Sequence, residues 1–292
     1  MRNPHFDDGI VVWSDELSGR YQPADYSQEF EEEWRLFLEG QEGWVGHAGV
    51  EVTDEHVDAR IRDLTGVSGF LAAKREGTHP SRERAMEVVP PFPPEWYKGK
   101  RCLDAGCGGG RWTRALLELG AEVTSIDATE SAVASVRRFN PDSRVMSLFD
   151  IENDPELVGA YDFVLCWGVM MHTHDPARAF RSVSKAVKQG GAMYVMIYAP
   201  EGMHNDPENV RKRQHYHRVL ASREERIAFA YACAGDPTQA LGWYDLLNPF
   251  YNWVVPESVI HGWFRRHGFI LVQTLNTTAE RCAHHVMARK LE

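Results

Sequence analysis

Between Arg101 and Tyr198, short apolar runs alternate with stretches whose apolar residues recur every three or four positions. The runs read as strands buried on both faces, and the recurrences as helices laid over them. Strands are expected at Arg101–Leu103, Glu122–Ile126, Arg144–Phe149, Tyr161–Cys166 and Met193–Tyr198. Trp112, Ala115, Leu116 and Leu119 set a helix directly after the first strand. Phe180, Val183 and Val187 set another, with Asp175 as N-cap, Pro176 in the first turn and Gly190-Gly191 as its stop. This alternation predicts an α/β fold, a doubly wound and mostly parallel sheet with helices on both faces. Further on, Val259, Ile260, Trp263 and Phe264 predict a helix over Ser258–Arg266. Phe269–Thr274 and Ala283–Ala288 then read as a closing antiparallel pair.

The flanking regions are patterned differently. Residues 1–95 are polar and rich in Glu and Trp. Phe30, Trp34, Phe37 and Leu38 predict a helix over Ser27–Glu39. A second is expected over Asp54–Leu64 with Thr53 as its N-cap, and a third over Ser81–Val89. Pro90, Pro91, Pro93 and Pro94 follow as a stiff linker. Residues 200–250 are long for a connection between sheet elements and hold an expected helix over Arg223–Tyr231. The chain therefore divides into an N-terminal helical cap (1–95), a sheet core (96–199), an inserted lid (200–250) and a C-terminal completion of the sheet (251–292).

Composition narrows the partners. A hydrophobic share of 43% in 292 residues is enough for a sizeable core. The net charge of -10 argues against nucleic acid, which calls for a basic surface. Small molecules stay open, because a local basic patch can coexist with an acidic total. No stretch approaches the roughly 20 apolar residues that span a bilayer, and Met1–Asp8 lacks an apolar signal region. The five cysteines are Cys102, Cys107, Cys166, Cys233 and Cys282. Their odd number and unpaired spacing predict reduced thiols and a cytoplasmic location.

One stretch carries a ligand signature: Lys100-Arg-Cys-Leu-Asp-Ala-Gly-Cys-Gly-Gly-Gly-Arg-Trp112. Its glycines lie between a strand and a helix, where backbone N–H groups and a helix N-terminus approach a ligand. The sixth position counted from Gly106 is Arg111, so the dinucleotide pattern fails. No Lys-Ser or Lys-Thr pair follows, so it is not a phosphate-cradling loop either. What remains is Asp104-x-Gly106-x-Gly108-x-Gly110. Asp127 and Asp150 end the next two expected strands, on the edge where open α/β sheets bind ligands.

This pattern resembles the first motif of the class I S-adenosylmethionine-dependent methyltransferases. The resemblance covers residues 95–199 well and 255–290 loosely, and Asp245–Trp253 looks like a tail found in many bacterial stand-alone methyltransferases. It implies a Rossmann-like core with an antiparallel last strand. It also implies S-adenosylmethionine as cofactor, S-adenosylhomocysteine as product and a small-molecule methyl acceptor, with no nucleic acid and no membrane. By the same resemblance, Gly106, Cys107, Gly108 and Gly110 pack against the methionine part of the cofactor, and Asp104 lies near its amino group. Asp127 and Ala128 sit at the ribose, since an ionised carboxylate can accept from both hydroxyls. Asp150 and Ile151 sit at the adenine, Trp167 and Met170 lie near the adenine or sulfonium, and Cys166 is a further cofactor-binding residue.

Transfer to a hydroxyl, thiol or ammonium requires the acceptor to lose a proton. Histidine suits that task. His172 and His174 follow the fourth strand, and His215 lies in the lid with His217. Three other readings share the cofactor fold: a protein or RNA acceptor, a non-catalytic binder of S-adenosylmethionine, and metal chemistry through those four histidines. Histidines one residue apart on an extended strand point oppositely, so no metal site is expected.

Overall fold

The computed structural model of the chain describes residues 12–21, 23, 27–39, 52–78, 90–235, 239–275 and 282–292. Its strands are β1 (Arg101–Ala105), β2 (Glu122–Asp127), β3 (Ser143–Val145), β4 (Tyr161–Trp167), β5 (Val187–Tyr198), β6 (Phe269–Thr274) and β7 (Ala283–Lys290). They form one sheet in the order β3-β2-β1-β4-β5-β7-β6. β1 pairs in parallel with β2 and β4, and β5 with β4, while β7 runs antiparallel between β5 and β6. The central strands are apolar throughout because helices cover both faces; every residue of β4 up to Cys166 is buried. The expected mixed sheet with an antiparallel closing strand is the one the chain forms.

The helices are α1 (Ser27–Glu39), α2 (Asp54–Thr65), α3 (Phe70–Arg75), α4 (Arg111–Glu118) and α5 (Glu130–Arg137). They continue with α6 (Pro176–Ala186), α7 (Pro207–Arg218), α8 (Arg223–Ala234), α9 (Ala240–Leu247) and α10 (Glu257–Arg266). α2 and α4 bury Ile61, Leu64, Trp112 and Leu116 with Tyr97 on one face of the sheet. α6 and α10 bury Phe180, Val183, Ile260 and Phe264 on the other. Thr53 caps α2 as expected, and the His56 ring completes a reciprocal cap by accepting from the Thr53 N–H.

Several boundaries depart from the expected ones. β3 stops at Val145, and Leu148–Asn153 turn into a 3-10 helix, so Asp150 lies on that turn and not at a strand end. α6 ends at Ala186, and Val187 already belongs to β5, whose pairing with β4 outweighs the helical spacing of Val187. Among the described residues, 200–250 hold three α-helices and a 3-10 turn at Met203–Asn205 where one helix was expected, and α3 was not expected. The expected helix over Ser81–Val89 lies outside the described residues.

The N-terminal region is stitched to the core rather than set beside it. Trp13 is fully buried, its N–H donates to Val254 O at 2.9 Å, and its ring meets Trp253 edge-on at 4.8 Å. Ser18 Oγ and Gly19 N donate to the carboxylate of Asp175, the N-cap of α6, at 2.8 and 2.7 Å. Among the described residues, no helix is long and apolar enough to cross a membrane, and no group of three His, Cys, Asp or Glu side chains is arranged to hold a metal ion.

Candidate active site

The site is built on the loop between β1 and α4. Gly106 N–H and Cys107 N–H both donate to the Ile126 carbonyl of β2, at 2.8 and 2.9 Å, which folds the loop back over the neighbouring strand tip. Gly106 and Gly108 have φ of +90° and +48°, a left-handed region that L side chains rarely adopt. A side chain at Gly106 would run into Val169, and one at Gly108 into the indole of Trp34. Gly110 serves another purpose: it caps α4 and lies against Phe139 of the α5 side.

Asp127, at the tip of β2, braces this loop. Its Oδ2 accepts from Gly108 N–H at 2.9 Å, and its Oδ1 from Thr129 N–H and Oγ1 at 3.0 and 2.7 Å. Burial nevertheless raises its pKa against those bonds. A cavity of about 100 Å³ opens beside it, lined by Asp127, Ala128, Thr129, Met146 and Leu148 together with Trp34, Trp167 and His172. It shares Phe30, Trp34, Gly106, Trp167 and Gly168 with a larger cavity of about 390 Å³. The larger one is walled by Cys107, Gly108 and Arg111 on the loop side, Glu33 of α1, Asp245 of α9, Tyr198 at the end of β5 and His204 beyond it. An outer groove is lined by Ala128, Ser147, Phe149, Asp150, His174 and Arg178.

α1 lies across this region. Its Glu29 carboxylate accepts from Phe250 N–H at 2.8 Å and its Glu31 carboxylate from Ser131 N–H at 3.2 Å. Glu32 pairs with Arg223 of α8. Glu33 is 7% exposed and hydrogen-bonds to the Asp245 carboxyl across the larger cavity. Burial raises the pKa of both acids, and their mutual repulsion raises that of Glu33 further. Arg111 faces Asp245 and opposes the rise there. The other cation near the loop, Arg60, lies over the rings of Trp112 and Trp167 at 4.9 and 5.3 Å.

The residues singled out in the sequence do not all meet. Gly106, Cys107, Gly108, Asp127, Ala128 and Trp167 line the two joined cavities; Asp150 lines only the outer groove. Asp104 lines none of the three: it is 1% exposed beneath the loop, accepts from Thr113 Oγ1 at 2.7 Å, and burial pushes its carboxyl up to about 7. A carboxyl that protonates near neutrality is a weak counter-ion. Ile151 and Cys166 are buried in the layer below and also line none of the three.

The histidines separate as well. His172 lines the smaller cavity but is 4% exposed; its Nδ1–H donates to Tyr251 O at 3.0 Å, and burial pulls its pKa down to about 4. His174 sits in the outer groove against Phe149. His215 is exposed on α7 beside Phe229 and lines none of the three cavities. His204, not expected, lines the larger cavity, stacks on Tyr198 at 3.4 Å, and burial takes its pKa down to about 3. Trp34, Glu33, Arg111, Asp245 and His204 are thus the residues that sequence reading missed here. A helix with an indole on its apolar face was visible; which face of the sheet it crossed was not.

Both buried imidazoles impose a pH dependence on stability. Folding keeps them neutral, whereas the unfolded chain binds a proton at about pH 6.5. Their contribution is complete above about pH 6.5 and is lost as pH falls toward the folded values of about 4 and 3. The slope reaches at most about 1.4 kcal/mol per pH unit for each ring. Urea unfolding between pH 7 and 4.5 should show that fall, and His172→Asn should make it shallower. An unchanged slope in the variant would mean that the His172 ring already reaches water.

Comparison with known proteins gives the family. A family model described as a methyltransferase domain matches residues 78–274. Curated relatives include ubiquinone biosynthesis O-methyltransferases from Marinobacter nauticus, 36% identical over 103 residues, and from Bordetella avium, 31% identical over 144 residues. These matches cover 33% and 45% of this chain, and only 43% and 60% of the relatives. Among solved structures, a possible histamine N-methyltransferase from Thermotoga maritima aligns over 91% of this chain and 99% of its own, with 16% identity and a TM-score of 0.49. The magnesium protoporphyrin IX methyltransferase of Synechocystis with bound S-adenosylhomocysteine aligns over 90% of this chain and 97% of its own, with 14% identity and a TM-score of 0.48. The strand order, the glycine loop over the β1–β2 tips and a family match spanning more than half the sequence lead to one assignment: the chain belongs to the methyltransferase domain family, the class I S-adenosylmethionine-dependent methyltransferases.

Proposed function

We propose that the chain transfers a methyl group from S-adenosylmethionine to a small-molecule acceptor held in the larger cavity. The observation that carries this reading is the cavity itself: about 390 Å³, joined to the Asp127 cavity and walled by α1 and α9. That volume is of small-molecule size. The curated relatives named as ubiquinone biosynthesis O-methyltransferases point the same way.

The residues present fit the cofactor. Glycines at 106 and 108 permit close approach of a ligand to the loop backbone, and half-buried Asp127 offers acceptor oxygens beside it. Asp127, Ala128, Thr129 and Met146 would hold the ribose and the near edge of the adenine, with Asp150 reading the adenine from the outer groove. Cys107, Gly108, His56 and Arg111 would hold the methionine part, with the Arg111 guanidinium facing its carboxylate. Bound there, S-adenosylmethionine supplies an electrophilic methyl group on a sulfonium. Phe30, Trp34 and Trp167 give that cation aromatic faces, worth about 0.5–2 kcal/mol each. Because the Trp34 indole stands against Gly108, α1 must shift when the cofactor enters. α1 and the 200–250 insertion then act as cap and lid. They exclude water and align the acceptor, a contribution of up to ~7–11 kcal/mol.

The test has two arms. Calorimetry should show S-adenosylhomocysteine binding and NAD not binding; tighter binding of NAD would remove the cofactor assignment. Incubating the protein and methyl-labelled S-adenosylmethionine with a fractionated cell extract should put label into the low-mass fraction. Label confined to protein or RNA would overturn the small-molecule reading.

A further inference from the structure

We propose that Asp245, positioned by Glu33, takes the proton from a hydroxyl group borne on an aromatic acceptor, and that the pair selects such acceptors. The proposal rests on the small-molecule methyl-transfer reading and gives it a substrate class.

Among the described residues, four polar atoms of side chains lining the larger cavity are buried without a hydrogen-bond partner: Glu33 Oε2, Trp112 Nε1, Trp167 Nε1 and His204 Nδ1. They belong to α1, α4, the end of β4 and the turn before α7. Glu33 Oε2 needs a donor and Trp167 Nε1–H needs an acceptor. A hydroxyl is both, having one proton and two lone pairs. A carboxylate brings no donor, and an ether or an aprotic ring brings none either. An ammonium brings no acceptor. The remaining walls, Phe30, Trp34, Met196, Tyr198 and Leu246, are apolar or aromatic and suit a flat ring.

The acid pair is held for proton exchange. Glu33 reaches across from α1 and Asp245 from α9, and their hydrogen bond leaves one proton between two carboxyls. Charged and titratable groups around them are Glu29 on α1, Arg111 at the start of α4, Tyr198 on β5, Arg213 on α7 and Tyr244 on α9. Arg111 favours the ionised Asp245, so a carboxylate persists at neutral pH although burial raises its pKa. His172 is less suited, because its pKa of about 4 belongs to a ring whose Nδ1–H is committed to a carbonyl. In the step, the acceptor O–H bond breaks and its proton passes to the Asp245 carboxylate. The oxygen lone pair forms the new C–O bond to the methyl, and the C–S electron pair stays on sulfur, leaving a neutral thioether. The proton is later released to water as the cleft opens.

The test uses the full chain loaded with S-adenosylhomocysteine and ligand-observed NMR with matched phenols, benzoates and anisoles. Phenols should bind at least about tenfold more tightly than the other two. Asp245→Asn should lose that preference while keeping its affinity for S-adenosylhomocysteine. Methyl transfer to the best-bound phenol should rise with pH as Asp245 loses its proton and Glu33 keeps its own. Asp245→Asn should shift that limb toward the phenol's own pKa of about 10 (the value for a free tyrosine side chain). Glu33→Gln should keep the limb but raise KM. Equal binding of benzoates or anisoles, no binding by any set, an unaltered preference or pH limb in Asp245→Asn, or a parallel loss of S-adenosylhomocysteine there would each overturn the proposal. The cofactor and low-mass labelling experiments stand apart from these outcomes, so the broader reading fails or survives independently.

Discussion

Replacing Arg213 by methionine should destabilise the protein by about 3–5 kcal/mol, the cost of removing one side of a buried charged contact. Arg213 is 1% exposed on α7. Its guanidinium donates to Leu246 O at 3.4 Å, Leu247 O at 3.0 Å, Phe250 O at 2.9 Å and to Pro249 O. These carbonyls include the last ones of α9, which have no partner inside their own helix. Burial lowers the Arg213 pKa to about 10, still well above neutrality, so the side chain works as a cation. Methionine keeps the apolar stem but removes the guanidinium donors; Leu246 O and Leu247 O keep Asn252 Nδ2 and His217 Nε2, and each carbonyl that neither another donor nor water reaches costs about 1–3 kcal/mol. The damage reaches the site, because the same turn sets the direction of α9 and therefore of Asp245. Urea unfolding should show a lower midpoint at unchanged slope, and cofactor affinity should fall less than acceptor affinity. A loss under about 1 kcal/mol would mean that water replaces the guanidinium at low cost.

The sheet and most of its helices were legible because each strand and helix carries its own period, and burial on both faces makes the central runs nearly continuous. Legibility failed where tertiary contacts decide. Val187 repeats at helical spacing, yet pairing opposite Tyr161 draws it into β5. Ala240-Leu-Gly-Trp-Tyr-Asp-Leu-Leu247 is apolar on nearly every side with a glycine inside, so no period announced α9. The acid run of α1 shows the same limit more sharply. Glu29, Glu31, Glu32 and Glu33 stand within five consecutive positions, but the fold gives them four separate partners: Phe250 N–H, Ser131 N–H, Arg223 and Asp245. Glu33 and Asp245 lie on helices at opposite ends of the chain, and no spacing rule joins them. The glycine motif was readable as a motif, though not in the fate of each member. Gly108 approaches Trp34, Gly110 packs on Phe139, and Asp104 turns beneath the loop to Thr113. Histidine chemistry suggested a base by pKa and by position after the fourth strand or in the lid; burial takes His172 out of the neutral range, and His215 lies on the surface.

Asp127→Ala should weaken S-adenosylhomocysteine binding by about 1.5–3 kcal/mol, the range for a hydrogen bond to a charged group, or roughly ten- to a hundredfold in Kd. Two losses combine. The variant removes the carboxylate that lines the smaller cavity, and with it the acceptor for ribose hydroxyls. It also frees Gly108 N–H, which Asp127 Oδ2 holds at 2.9 Å, so the loop is no longer fixed in the geometry that receives the ligand. Thr129 loses both of its bonds to Oδ1, which loosens the entry to α5. Stability should change by no more than about 1–2 kcal/mol, because the carboxylate packs little apolar surface and its raised pKa shows that burial already disfavours its charge. Asp127→Asn separates the two losses. Its amide oxygen still accepts from Gly108 N–H, while its single acceptor no longer serves the ribose hydroxyls and Thr129 at once. The asparagine variant should therefore retain loop order by hydrogen exchange and recover only part of the affinity by calorimetry. If alanine binds S-adenosylhomocysteine as the wild type does, Asp127 braces the loop and takes no part in holding the ribose.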